Sequence, residues 1–146
     1  MNETTLDEAP VRFDTKIAVL LREDLAAWQR LNVTAFLASG VTAAHPELVG
    51  RPYADADGTG YLALLGQPVL VLEGSAQLLR TAHRRAVDRG LPLAVFTAGM
   101  FGTGHDAANR AVVAAAPGDR LDLVGIALHG ARGRVDKVVK GARLHP

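Results

Sequence analysis

Three stretches of the chain carry side chains whose types and spacing could do chemistry. The first is Arg22-Glu23-Asp24, which follows an unbroken apolar run. A carboxylate in that place can act as a base or orient a partner, and an arginine can hold an anion through two parallel hydrogen bonds. The competing reading is structural: Asp24 caps the next helix and Arg22 pairs with it. The second stretch runs from Ala98 to Asp106 and has glycine at 99, 102 and 104. Backbone N–H groups of such a loop can cradle an anion at a helix start. The spacing matches neither G-x-G-x-x-G nor a P-loop. Asp106 there reads as a helix cap, with Asn109 reaching back. The third set is the histidines, His45, His83, His105, His129 and His145. No H-x-x-x-H or H-E-x-x-H joins them. His105, Asp106 and His129 could still converge near strand ends, but no metal site is expected from so sparse a set.

Other chemistries are excluded on composition. Asp55-Ala56-Asp57-Gly58 starts like a calcium loop, yet Gly66 stands where the bidentate glutamate belongs. Ser39 and Ser75 are the only serines and neither lies in G-x-S-x-G. Cysteine is absent, so thiolate chemistry and disulfides are excluded. No cofactor motif is found.

These side chains need elements to position them. Lys16 to Arg22 encloses five apolar residues and predicts a buried central strand. Leu25 to Ala44 predicts a helix whose core stripe is Val33, Phe36, Leu37 and Val41. His45-Pro46 stops it, and residues 46 to 60 read as loop. Pro68 to Leu72 is a second strand, with a short one at Tyr61 to Leu65. Ser75 caps a helix with Leu78, Leu79, Ala82 and Ala86 inward, closed by Gly90. Pro92 to Thr97 is a third strand and Asp106 to Ala116 a short helix. Leu121 to Leu128 is a fourth strand and Gly133 to Gly141 a last helix. Strands alternate with helices, so the class is α/β.

The 146 residues fit one domain over 15–146, preceded by a polar, flexible segment at 1–14. Hydrophobic residues make up 49% and charged residues 21%, the balance of a globular protein. No apolar run reaches the roughly 18 residues of a membrane span. Met1 to Pro10 is acidic and lacks the basic, then apolar, order of a signal peptide, so a cytoplasmic address is expected. The net charge of +1 argues against a broad polyanion-binding surface. Two basic clusters, Arg80-Arg84-Arg85-Arg89 and Arg132-Arg134-Lys137-Lys140-Arg143, read as solvated helix faces. A nucleic-acid partner is not the leading expectation but stays open, and no membrane partner is expected.

Two resemblances add to this. Lys16 to Leu25 resembles the opening strand of type 2 peptidyl-tRNA hydrolases, which ends in Arg-x-Asp-Leu. Val124 to His129 and Val135 to Leu144 resemble that family's closing strand and final helix, and Gly90-Leu91-Pro92 before a strand ending in Ala98-Gly99 fits its middle. The chain is also similar to an uncharacterised domain-of-unknown-function family, number two thousand, that shares this fold. The matching pieces are Leu31 to Phe36, Gln67-Pro68-Val69, Phe96-Thr97, Met100-Phe101, Thr103-Gly104-His105 and Asn109. The resemblance implies a mixed, roughly four-stranded sheet with helices on both faces, and a homodimer. The hydrolases carry Gly-Lys-Gly-Lys at the first helix, where this chain has Trp28 to Asn32. They carry an aspartate before Ala-Gly, where this chain has Thr97. Neutral side chains cannot supply those charges.

The function expected from sequence is therefore binding of a small polar or anionic ligand. The expected pocket is Arg22, Asp24, Trp28, Asn32, Thr97, Met100, Thr103 and His105. The alternative is a hydrolase-type enzyme with Asp24 or His105 as proton carrier, including weak peptidyl-tRNA hydrolysis with tRNA on the basic C-terminal helix. The sequence leaves open whether the protein is an enzyme.

Overall fold

The run Ile17-Ala18-Val19-Leu20-Leu21 has no polar face, so a sheet containing it must be covered on both sides. In a computed structural model, which describes residues 11–146, it forms the middle of β1 (Thr15–Arg22), and none of the five is more than 1% exposed. The expectation for residues 1–14 falls mostly outside the described residues. Then come α1 (Ala27–Ala44), a two-stranded ribbon of β2 (Tyr53–Ala54) and β3 (Gly60–Tyr61), β4 (Val69–Gly74) and α2 (Ala76–Asp88). The chain continues through β5 (Ala94–Thr97), a 3-10 turn at Ala98–Gly102, α3 (Asp106–Ala114), β6 (Leu123–Ala131), α4 (Arg132–Val138) and β7 (Arg143–Leu144).

The main sheet has five strands in the order β5-β6-β1-β4-β7. β1 and β4 are parallel, and the other pairings are antiparallel. The sheet is thus mixed, but it exceeds the expected four strands. The extra strand, β7, pairs only Leu72 with Leu144 and Glu73 with Arg143, too short a run to carry a period. The short strand expected at Tyr61–Leu65 is not in this sheet: Gly60–Tyr61 pairs with Tyr53–Ala54, and Leu65 bridges Val49.

Alternation along β1 sends its side chains to opposite faces. Ala18 and Leu20 join Leu79, Ala82 and Ala86 of α2 and Val135 and Val138 of α4. Ile17, Val19 and Leu21 join Val33, Leu37 and Val41 of α1. Helices therefore cover both faces. Each fully buried leucine or isoleucine contributes about 1.5–3 kcal/mol. Gly125 on β6 lets α1 approach the sheet: a Cβ there would stand 2.6 Å from Val33 Cγ1 and 2.9 Å from Leu37 Cδ1.

Several helix ends follow the expected chemistry. Ser75 Oγ accepts from the Leu78 N–H at 3.1 Å. Gly90 takes φ +67°, with Leu91 N–H donating to Ala86 O and Gly90 N–H to Val87 O, which closes α2 in a Schellman motif. Others differ. α1 begins at Ala27, and Gln29 supplies the capping oxygen to the Ala26 N–H, so Asp24 caps nothing. Phe36 leaves the core stripe and stands 53% exposed. His105, not Asp106, caps α3. No helix among the described residues is long and apolar enough to cross a membrane.

Candidate functional site

Trp28, Asn32 and Phe36 recur at four-residue spacing, which sets them along one flank of α1. That flank bounds a cavity of about 890 Å³ over the edge strand β5. Ala94, Val95 and Phe96 of β5 form its floor, Met100 and Phe101 come from the 3-10 turn, and Asn109, Arg110 and Val113 come from α3. Gly99 lets α3 close on that turn, since a Cβ there would lie 2.8 Å from Val112 Cγ1.

The chain has one Trp, two Tyr and four Phe, and Trp28, Phe36, Phe96 and Phe101 all line this one cavity. They form a continuous series. Trp28 meets Phe101 edge-on at 5.5 Å, Phe101 meets Phe96 at 5.1 Å, and Phe96 meets Phe36 at 5.9 Å. Only Phe96 is fully buried; Trp28 is 60% exposed.

The polar part of the lining is Asn32, Thr103, His105, Asn109 and the Asp106–Arg110 ion pair. His105 Nδ1 accepts from the Ala108 N–H at 3.2 Å, which places the proton of the neutral ring on Nε2. Thr103 Oγ1 bonds Met100 O at 3.0 Å and the Asn109 carboxamide.

Of the residues expected at the site, the cavity gathers Trp28, Asn32, Met100, Thr103 and His105, and omits Arg22, Asp24 and Thr97. Arg22 donates to Asp24 at 2.7 Å and to Asp122 at 3.0 Å. The Arg22 hydrogen bond holds the Asp24 carboxyl below its usual value near 3.8, and the Asp24 bond raises the Arg22 guanidinium in turn. Thr97 ends β5, 3% exposed; its N–H donates to Met100 Sδ while its Oγ1 is buried without a partner among the described residues. Sequence reasoning missed Phe36, Phe96, Phe101 and Arg110 as lining, and gave Asn109 a capping role. The i, i+4, i+8 spacing of Trp28, Asn32 and Phe36 was the available signal.

A second polar assembly closes the carboxyl ends of β1 and β4. Glu73 is 5% exposed. Arg30 reaches it at 3.1 Å and Arg143 at 2.8 Å, while Arg143 also bridges to Glu23 at 2.9 Å. Arg30 further donates to the backbone oxygens of Leu25 and Glu23. In open sheets this crevice commonly takes ligands; here side chains fill it.

The histidines separate. His105 lines the large cavity, whereas His45 and His129 line a smaller one of about 280 Å³, with ring centroids 4.6 Å apart. Burial, and then His45, push the His129 pKa down. Among the described residues, no three potential metal ligands cluster. The Asp55 carboxylate is taken up by the N–H groups of Asp57 and Thr59 and by the Tyr61 hydroxyl, which ties the β2–β3 ribbon.

Known proteins extend this picture. A solved structure of a protein of unknown function from Agrobacterium tumefaciens strain C58 is 48% identical, with a TM-score of 0.91, over 92% of this chain and 100% of that one. No curated protein matches the chain. Residues 15–146 match the family described as protein of unknown function, DUF2000, and the chain belongs to that family.

Proposed function

We propose that the protein binds a small molecule in the cavity over β5, and that the ligand has an apolar body and a polar end. One observation carries this reading. Trp28 and Phe36 leave 60% and 53% of their surfaces in solvent on the wall of a concave site that also holds convergent polar groups. Small-molecule sites are mostly apolar, have a few placed polar groups and span about 300–1,000 Å³. Exposed aromatic surface gathered in one place marks an interaction site.

The two candidate proton carriers are poorly placed for catalysis. Asp24 is held ionised by Arg22 and lies outside the lining. His105 uses its basic nitrogen to cap α3, so taking up a proton would break that cap. Binding without turnover fits both facts. A peptidyl-tRNA hydrolase II-like fold belongs to this reading: the parallel β1–β4 pair, the Arg22-x-Asp24-Leu25 strand end and the antiparallel β6 support it. The hydrolase activity does not, because Asn32 and Thr97 are neutral. The homodimer implied by the resemblance is also retained. Leu31, 74% exposed on α1, offers apolar surface for it, and sedimentation velocity tests it: a single monomer-sized boundary at 100 µM would exclude the dimer.

The ligand reading is tested by a thermal-shift screen of a chemically diverse small-molecule collection on the wild type and on Phe36→Asp. A ligand at 100 times its Kd stabilises by about 2.7 kcal/mol. Hits are expected on the wild type and lost on the variant. A screen without hits, or hits indifferent to Phe36→Asp, would contradict the reading.

A further inference from the structure

We infer that the cavity selects an uncharged ligand with a flat aromatic ring and an amide-like head, which carries a hydrogen-bond donor and acceptor side by side. This rests on the small-molecule reading above and names its ligand class. Three features lead to it.

The first is charge. Arg110 and Asp106 are the only formally charged side chains in the lining, and they pair with each other one helical turn apart. Arg22, the cation expected to hold an anion, lies elsewhere with Asp24 and Asp122. Arg110 is 69% exposed and already shared with Asp106, so an anionic head would find only a solvent-screened cation beside a competing carboxylate.

The second is the hydrogen-bonding of the polar end. Thr103 has one hydroxyl proton but bonds both Met100 O and the Asn109 carboxamide. If that proton goes to Met100 O, Asn109 must turn its NH2 to Thr103, which frees its carbonyl oxygen. If the proton goes to Asn109, the NH2 is free instead. Either way one half of the carboxamide is left for a ligand. A head bearing both a donor and an acceptor satisfies either arrangement. The His105 Nε2–H adds a donor, and the exposed Asn32 carboxamide adds both kinds.

The third is ring geometry. Successive rings are inclined by 69°, 49° and 52°, so none stacks flat on its neighbour. The exposed surfaces of Trp28 and Phe36 remain open to a further ring. Aromatic pairing adds about 3- to 10-fold in affinity beyond the burial of equal area.

Trp28 is the only tryptophan, so the labelled protein has a single indole N–H signal, and that signal sits at the cavity. Three probes separate the features: benzamide, cyclohexanecarboxamide and benzoate, titrated at pH 7 while that signal is followed by nitrogen–proton correlation spectroscopy. Benzamide is expected to shift it saturably. Cyclohexanecarboxamide, which keeps the head but loses the flat ring, should bind about 3- to 10-fold more weakly. Benzoate, which keeps the ring but replaces the donor-bearing head with a charge, should bind more weakly than benzamide. Equal or tighter binding of benzoate overturns the uncharged head. Equal or tighter binding of cyclohexanecarboxamide overturns the aromatic ring. If no probe shifts the signal while the thermal-shift screen gives cavity-dependent hits, the ligand class is wrong and the site stands. If both experiments are blank, the site itself is wrong.

Discussion

The carboxyl ends of β1 and β4 and the open edge at β5 treat their side chains in opposite ways. At the strand ends, Arg22, Asp24, Glu23 and Glu73 each meet an oppositely charged partner, and Glu73 is nearly sealed from solvent. At the edge, large aromatic surfaces line a cavity and stay exposed although a buried position would be more favourable. The paired charges tie the strand ends together, whereas the exposed aromatic surface over β5 is the feature on which the proposed binding rests. The charged residues at the end of β1 are thus engaged with one another, and the cavity that gathers the other expected residues lies beside them.

The contrast can be broken most forcefully at Glu73. Removing one partner of a fully buried ion pair costs about 3–5 kcal/mol. Arg143 is largely exposed, so we expect Glu73→Ala to cost about 3 kcal/mol in urea unfolding, with the cavity left able to bind. A loss below about 1 kcal/mol would show that the cluster is not structural. Next is Gly125→Ala, which forces a methyl against Val33 and Leu37 under α1. Overpacking of this kind costs about 1–3 kcal/mol, and we expect about 2 by the same method. On the other side of the contrast, Phe36→Ser should cost at most about 1 kcal/mol, because half of that ring is already in water.

The smallest expected effect is a pH dependence. His129 has a folded-state pKa below its usual 6.5, from burial and from His45. The unfolded chain then binds a proton more readily than the folded one as pH falls through 6.5. Stability is therefore fully present above that value and declines below it, until the folded-state pKa is passed. His129→Leu should flatten part of this slope in unfolding midpoints measured between pH 5.5 and 7.5. His83, lowered by burial, keeps the remainder. An unchanged slope would remove His129 from the account.

How much of this was legible in the sequence depends on distance along the chain. The strand at Ile17–Leu21, the Ser75 cap and the Gly90 stop were readable because local sterics and hydrogen bonds decide them. Phe36 was misread because α1 is apolar on more than one side, so periodicity could not say which residues face the core. His105 and Asp106 are adjacent and both can cap, and only the path out of the 3-10 turn chose between them. The Arg30–Glu73 pair joins residues 43 apart, and β7 is two residues long. Neither leaves a local signature. Five of the expected site residues fell together because α1 and the glycine-rich turn were both placed correctly; Arg22, Asp24 and Thr97 did not, since Arg22 and Asp24 pair with each other and Thr97 is buried at the end of β5.

The central claim is that the cavity, not the charged strand end, is the working site. The benzamide dissociation constant of Phe36→Ser and of Asp24→Asn, read from the Trp28 indole signal, tests this most directly. We expect at least about 10-fold weaker binding for Phe36→Ser, since the ring contact and much of its apolar contact area are lost, and no change for Asp24→Asn. Weakening by Asp24→Asn with Phe36→Ser unaffected would contradict the claim and return the site to the end of β1.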